Sequence, residues 1–240
     1  MAMITSTDNQ KLKLVRKLAD RRHREREGLF ATEGEDLLEA GLRAGREPLF
    51  VLNAPGTGLG GEDVEPGLLD SVSSLGSGTR AIAVWPEAWE AAGGPVCVYM
   101  HGLGDPGNVG AVIRSAHALV EGTVAIGPGC ADPHSPKAVR ASMGSIFGIG
   151  LARAEVGDTP QPRIALIAHG GEAPTATAAP VTLCLGAERD GLPDQVIGAC
   201  DSHWTIPVRE DAAESLNVAA AAAIALQGIS SAAAEGGAPP

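Results

Sequence analysis

Three short segments set polar and charged side chains beside glycines at the ends of apolar runs. The first is Asn108-Val109-Gly110-Ala111-Val112-Ile113-Arg114, which reads as Asn108 at a helix N-cap with Arg114 on the same helix about a turn and a half later. The second, Ser135-Pro136-Lys137-Ala138-Val139-Arg140-Ala141-Ser142-Met143-Gly144, opens a helix with an N-cap serine, proline at its first position and two cations. The third, Leu185-Gly186-Ala187-Glu188-Arg189-Asp190-Gly191-Leu192, is a strand-to-loop turn, followed by Ile206-Pro207-Val208 and by Glu214-Ser215-Leu216-Asn217 at the start of a last helix. A fourth segment, GLGDPG at 102–107, fits the G-x-G-x-x-G of a dinucleotide loop. That match is weak. Pro106 removes an N–H that such a loop would donate to pyrophosphate, and the following strand ends in Gly127-Pro128 rather than in an acidic residue for a ribose.

The elements that must position these residues follow from periodicity. Residues 8–27 read as one helix, with Leu12, Val15 and Leu18 at helical spacing and cations on its other faces. GLFATEG is a strand, EDLLEAGLRAG a helix closed by Gly45, PLFVLNA a strand, 55–68 a polar loop, LLDSVSSLG a short helix and TRAIAVW a strand. Residues 86–95 hold two prolines and two glycines, and the domain boundary is set there. Beyond it the strands VCVYM, TVAIG, RIALIAHG and VTLCLG alternate with helices, and WTIPV is a short apolar segment. Continuous apolar strands between helices predict a parallel sheet covered on both faces. The Ala-rich segment ESLNVAAAAAIALQGI predicts a long helix, followed by a disordered tail over 231–240. The fold class is α/β, with a small α/β domain over 1–88 and a larger one over 95–230.

The chain of 240 residues is 44% hydrophobic, enough for a core and against a disordered chain. No apolar run long enough to span a membrane is found, and the N-terminus lacks an apolar segment ahead of a cleavage site, so a cytoplasmic protein is expected. Cys97, Cys130, Cys184 and Cys200 form no C-x-x-C pair, which predicts neither a zinc site nor a disulfide framework; no metal is expected. The net charge of −11 conceals a local excess: residues 10–26 carry eight basic and two acidic side chains. Arg21, Arg22 and Arg24 in that helix are candidate contacts to a polyanion.

Together the three segments, in this order over 108–217, resemble motifs 1, 2 and 3 of the SpoU (TrmH-type) branch of the SPOUT RNA methyltransferases, patterned N-x-G-x-x-x-R, S-x-K-A-x-R-A-S-x-G and L-G-x-E-x-x-G-L…I-P…S-L-N. The N-terminal ITSTDNQKLKLVRKLADRRHREREGLFATEG resembles the start of the L30e-like substrate-binding domain found ahead of many members. One departure is Arg189-Asp190, where many relatives carry a small or acidic pair.

The resemblance implies a C-terminal parallel-sheet SPOUT domain with a deep trefoil knot, a homodimer with its active site near the subunit interface, and methyl transfer from S-adenosylmethionine (AdoMet) to a ribose 2′-hydroxyl of RNA. Ribosomal RNA is favoured over transfer RNA. By motif position, Arg114 is the central catalytic residue, a guanidinium that orients phosphate and stabilises a developing alkoxide. Asn108, Ser215 and Asn217 would assist it. Ala168, Gly186, Glu188, Ile206, Leu216 and Asn217 would surround the cofactor, and Arg140 would grip a target phosphate. An NAD-dependent oxidoreductase and a catalytically silent RNA-binding relative are the competing expectations.

Overall fold

The computed structural model describes residues 3–74, 78–209 and 216–235, with side chains to 230. The N-terminal part contains α1 (Gln10–Leu18), α2 (Arg21–Glu27), β1 (Leu29–Glu33), α3 (Glu35–Arg43), β2 (Phe50–Asn53), β3 (Glu62–Asp63), α4 (Pro66–Asp70) and β4 (Ala81–Pro86). Its sheet has the order β1-β4-β2-β3, with β4 antiparallel to both β1 and β2. Period-two alternation splits β4 between two cores. Ile82 and Val84 join Leu12, Val15 and Leu18 on one side, while Ala81, Ala83 and Trp85 face the rest of the molecule.

The single helix expected over 8–27 is two helices. Asp20 caps the second, its carboxylate accepting the Arg22 N–H at 2.8 Å. The Arg24 guanidinium folds back to donate to the Leu18 and Ala19 carbonyls at 2.7 and 2.9 Å, closing the end of α1. Charge periodicity cannot reveal such a break, because the local hydrogen bonds of one aspartate and one arginine set it. The polar stretch 55–68 holds β3 and the start of α4, both outside the expectation.

The second part contains β5 (Val96–Met100), α5 (Pro106–Leu119), β6 (Gly122–Ile126), α6 (Pro136–Ser142), β7 (Gly150–Arg153), β8 (Arg163–Leu166), β9 (Val181–Leu185), α7 (Asp194–Ile197), β10 (Ser202–Trp204) and α8 (Val218–Glu235). All six strands are parallel, in the order β10-β8-β9-β5-β6-β7. Every residue of β5 and β9 is buried, as a sheet covered on both faces requires. Val98, Met100 and Leu183 face α5 and α8; Cys97, Tyr99 and Cys184 face the side of α7. Strand β7 escaped the sequence reading. Helix α8 continues to Glu235, five residues into the tail expected from 231, and 236–240 lie outside the described residues. The four cysteines are free, and no helix among the described residues is long and apolar enough to cross a membrane.

The two sheets share a core. Trp85 and Phe30 pack on Phe147 with ring centroids 4.7 and 5.9 Å apart, and Phe30 packs on His134 at 4.6 Å. Arg24 adds an ion pair to Asp132, its Nη2 at 2.7 Å from Oδ2. His134 is 2% exposed and its Nδ1 has no hydrogen-bond partner. Burial of the neutral ring holds its pKa down at about 4, from the ordinary 6.5. The unfolded chain therefore takes up this proton first as pH falls, so stability drops between about pH 6.5 and pH 4. The difference corresponds to about 3 kcal/mol. Burial raises the neighbouring Glu87 carboxyl, which works in the opposite sense by binding its proton earlier in the folded state. Urea unfolding at pH 7 and pH 4.5 should show a larger loss for the wild type than for His134→Phe. Equal losses would assign the acid sensitivity elsewhere.

Candidate functional site

All six parallel strands end on one edge of the sheet, where α/β folds place ligands. Beyond β8, β9 and β10 that edge holds a cavity of about 440 Å³. Ala168, Gly186, Glu188, Ile206 and Leu216 all line it, so five of the six residues expected around a cofactor converge from segments far apart in sequence. His169, Arg189 and Leu192 line it as well.

Gly186 has a steric reason. A Cβ there would sit 2.2 Å from the Gly191 carbonyl carbon and 2.3 Å from the Leu192 nitrogen. The close approach seats a tight turn in which Ala187 and Gly191 exchange two backbone hydrogen bonds of 3.0 Å, with Gly191 at φ +65. Glu188, Arg189 and Asp190 project from that turn. They also border a smaller hollow of about 230 Å³, shared with Leu103, Gly104, Asp105 and Asn108.

Asn108 is not the N-cap of α5. Asp105 is, its carboxylate accepting the N–H groups of Gly107 and Asn108 at 2.7 and 3.1 Å, with Pro106 at the first helical position. The Asp-Pro pair was the sequence signal for this start. The Lys137 ammonium, 2.6 Å away, and these two N–H groups hold the Asp105 carboxyl below the usual range. The donors that a dinucleotide loop would offer to pyrophosphate are thus already taken by the chain's own carboxylate, which removes the basis of the oxidoreductase reading.

One turn inside the helix, Asn108 is free to reach across the site. Its Nδ2 donates to Glu188 Oε1, and its Oδ1 accepts from Asn217 Nδ2 at 3.0 Å. Asn217 Nδ2 also lies 3.2 Å from Glu188 Oε1, while its own Oδ1 accepts the Ala219 N–H at 2.9 Å. Two amides and one carboxylate therefore lock α5, the Gly186–Gly191 turn and the start of α8 together. Gly110 brings the second segment against the first: a Cβ there would meet the Ala138 carbonyl oxygen at 2.3 Å, so the crossing of α5 and α6 requires glycine.

Other expected residues lie elsewhere. Arg114 is exposed on α5 with no hydrogen-bond or ion-pair partner among the described residues. Six residues beyond Asn108, it lies about 9 Å along the helix and roughly 120° around it. It does not line the cavity. Ser215 lies outside the described residues. Arg140 is exposed on α6, and its Nη1 donates to Ser74 Oγ at 3.3 Å. Arg22 is exposed; Arg21 is exposed and paired with Glu25 at 2.7 Å. Arg24 is a correction: it is 3% exposed, and its guanidinium is spent on Asp132 and two carbonyls, so it has no surface to offer RNA. Sequence alone put it with its neighbours because its composition is theirs; only its position facing Asp132 sets it apart. No cluster of metal-ligating side chains occurs among the described residues.

Residues 95–227 match the SpoU rRNA Methylase family, and residues 9–75 match the MRM3-like substrate binding domain. An uncharacterized tRNA/rRNA methyltransferase of Mycobacterium tuberculosis is 32% identical over 190 residues, 73% of this chain, and the match spans 59% of that protein's length. The 23S rRNA (guanosine(2553)-2′-O)-methyltransferase RlmP of Bacillus subtilis is 30% identical over 249 residues, covering 93% of this chain and 97% of that protein. Among solved structures, the AdoMet bound rRNA methyltransferase from Sinorhizobium meliloti superposes with a TM-score of 0.82 at 25% identity, over 94% of this chain and 95% of that one.

Proposed function

We propose that this chain, which belongs to the SpoU rRNA methylase family, methylates a ribose 2′-hydroxyl of ribosomal RNA with AdoMet as donor. The observation that carries the reading is the convergence of Ala168, Gly186, Ile206 and Leu216 on one cavity with the Asn108–Glu188–Asn217 lock at its mouth. The cavity fits the cofactor. It is large enough for a nucleoside with an amino-acid arm, apolar side chains suit the adenine, and the missing Cβ at Gly186 lets the Gly191–Leu192 backbone close in to form its wall. When bound, AdoMet supplies an activated methyl group, so neither a metal nor a covalent enzyme intermediate is needed.

The chain's own residues then hold the hydroxyl in line and stabilise the charge that develops on its oxygen. Asn108 and Glu188 border the hollow next to the cavity, where a ribose fits, and Asn217 holds both in place; Ser215 is proposed to assist by its motif position alone. Arg114 is the residue that steadies phosphate and alkoxide. Because it does not line its own chain's cavity, the reading makes the protein a homodimer in which Arg114 serves the cavity of the other copy. Exposed Val208, Leu216 and Ile224, 39–45% accessible, offer an apolar surface for that pairing. The reading includes a knotted SPOUT domain over 95–230, a recognition domain over 1–88 that presents Arg21, Arg22 and, across the junction, Arg140 to RNA, and a cytoplasmic setting.

The test is transfer of tritiated methyl from AdoMet to RNA of a strain lacking the gene, offered both deproteinised and as ribosomal particles. Label in nuclease-resistant 2′-O-methylated dinucleotides of the ribosomal fraction is expected. Label confined to transfer RNA would change the substrate, and cofactor binding with no label on either form would leave a silent relative. Gly186→Ala should raise the AdoMet Kd about tenfold, since relieving an overpacked methyl worth about 1–3 kcal/mol pushes the Gly191–Leu192 backbone, which lines the cavity, out of place. Isothermal titration of the two proteins reads this directly, and an unchanged Kd would move the cofactor out of this cavity.

A further inference from the structure

A second cavity, of about 600 Å³, opens on the same sheet edge beyond β6 and β7, at the junction of the two domains. Its floor is the backbone of the Gly127–Ala131 loop, and its walls carry Arg21, Trp89, Arg153, Glu155 and Asp158. Trp89 is half-buried. The Arg153 guanidinium stacks on its indole at 4.1 Å. Both are held by one carboxylate: Trp89 Nε1 donates to Glu87 Oε2 at 2.7 Å, and Arg153 Nη2 lies 3.5 Å from the same oxygen. Trp89 also meets His134 edge-on at 5.1 Å, so the indole plane is fixed before any ligand arrives. The Arg153 side chain remains 59% exposed. The result is a flat, pre-ordered platform of Trp89 and Arg153 facing a roomy cavity whose lining also carries the Glu25, Asp132, Glu155 and Asp158 carboxylates.

We infer that this cavity accepts an unstacked nucleobase, best a guanine, of the RNA strand whose neighbouring nucleotide enters the cofactor site. Single-stranded RNA is read by stacking bases on aromatic rings and guanidinium planes and by hydrogen bonds to their edges. A guanine presents acceptors on one edge and amino and imino donors on the other. Here Arg21 and Arg153 supply donors, and Glu155 and Asp158 supply acceptors. β9, which ends at the cofactor cavity, and β6, which ends at this one, are two strand spacings apart, roughly 10 Å, within the span of a few nucleotides. The inference rests on the RNA reading above and adds a specificity pocket to it.

The experiment labels the protein with 5-fluorotryptophan and follows its three tryptophans by ¹⁹F NMR with AdoMet present; the spectrum of Trp89→Phe assigns Trp89. The probes are guanosine 5′-monophosphate, uridine 5′-monophosphate and a short guanine-containing single-stranded oligoribonucleotide. The Trp89 resonance should move saturably with the guanine nucleotide and at lower concentration with the oligonucleotide, while buried Trp85 and Trp204 stay put. Trp89→Ala should weaken oligonucleotide binding roughly 5- to 100-fold and Trp89→Phe much less. A Trp89 signal unmoved by every probe overturns the inference. Movement with mononucleotide alone makes this a free-nucleotide site and overturns the RNA assignment, and equal movement with uridine overturns the preference for guanine. Methyl transfer is measured on the same protein: transfer with an unmoved Trp89 sinks this pocket alone, whereas a moving Trp89 without transfer sinks the activity and leaves the pocket standing.

Discussion

Arg114→Ala is expected to lower methyl transfer by roughly 10²–10³-fold, the loss typical of one charge-stabilising donor at a reacting oxygen, with melting temperature and AdoMet affinity unchanged. Stability should hold because Arg114 is exposed and bonded to nothing among the described residues, so truncation leaves no buried group unsatisfied. Affinity should hold because Arg114 lines no part of its own chain's cavity and, from the other copy, is assigned to the phosphate and the alkoxide rather than to AdoMet. The same geometry makes the dimer testable. At an AdoMet concentration well below the raised Kd of Gly186→Ala, mixing Arg114→Ala with Gly186→Ala protein and allowing subunits to exchange should raise transfer above the mean of the two parents, because a mixed pair then has one intact cavity served by one intact arginine. If the mixture only averages its parents while exchange is demonstrated, Arg114 acts within its own chain or not at all. A single variant that keeps full turnover removes it from the mechanism.

Arg24→Ala carries the largest expected effect on stability, about 3–5 kcal/mol, because removing one partner of a buried ion pair strands the other. The side chains of Arg24 and Asp132 are only 4% and 10% exposed, and the same guanidinium closes α1 through two carbonyls. Denaturant unfolding should show the loss, and losses confined to a few tenths of a kcal/mol would mean that water replaces the pair. Its neighbours should behave oppositely. Arg21→Ala and Arg22→Ala should leave stability within about 0.5 kcal/mol and weaken RNA binding, flattening the plot of log affinity against log salt by about one unit per lost phosphate contact. An unchanged slope would make this helix a solvated face and move RNA recognition to other cations such as Arg140.

Much of the fold was legible because it rests on local pattern. VCVYM and VTLCLG are continuous apolar runs, and both became the fully buried centre of a parallel sheet. Leu12, Val15 and Leu18 keep their common face on α1 even though the helix expected over 8–27 is two helices. The errors cluster where a single side chain decides the backbone. Asp105, not Asn108, starts α5, since an aspartate before a proline satisfies the first free N–H groups and turns the next polar residue inward. Strand β7, four residues ending in a charge, was too short to stand out from its surroundings.

The sequence by itself determined which residue types stand at which motif positions, that helix and strand alternate, and that cations gather near the N-terminus. Those are properties of neighbours along the chain, and hydrophobic period and composition report them. Tertiary structure alone decided that Ala168, Gly186, Ile206 and Leu216 face one cavity. It also decided that Asn108 and Asn217 meet on Glu188 across 109 residues of chain, and that Arg24 is buried while Arg22 is not. The physical reason is the same in each case. Side-chain hydrogen bonds, ion pairs and close glycine contacts act over about 3 Å, so their partners become definite only when the parallel sheet brings distant strand ends to a common edge.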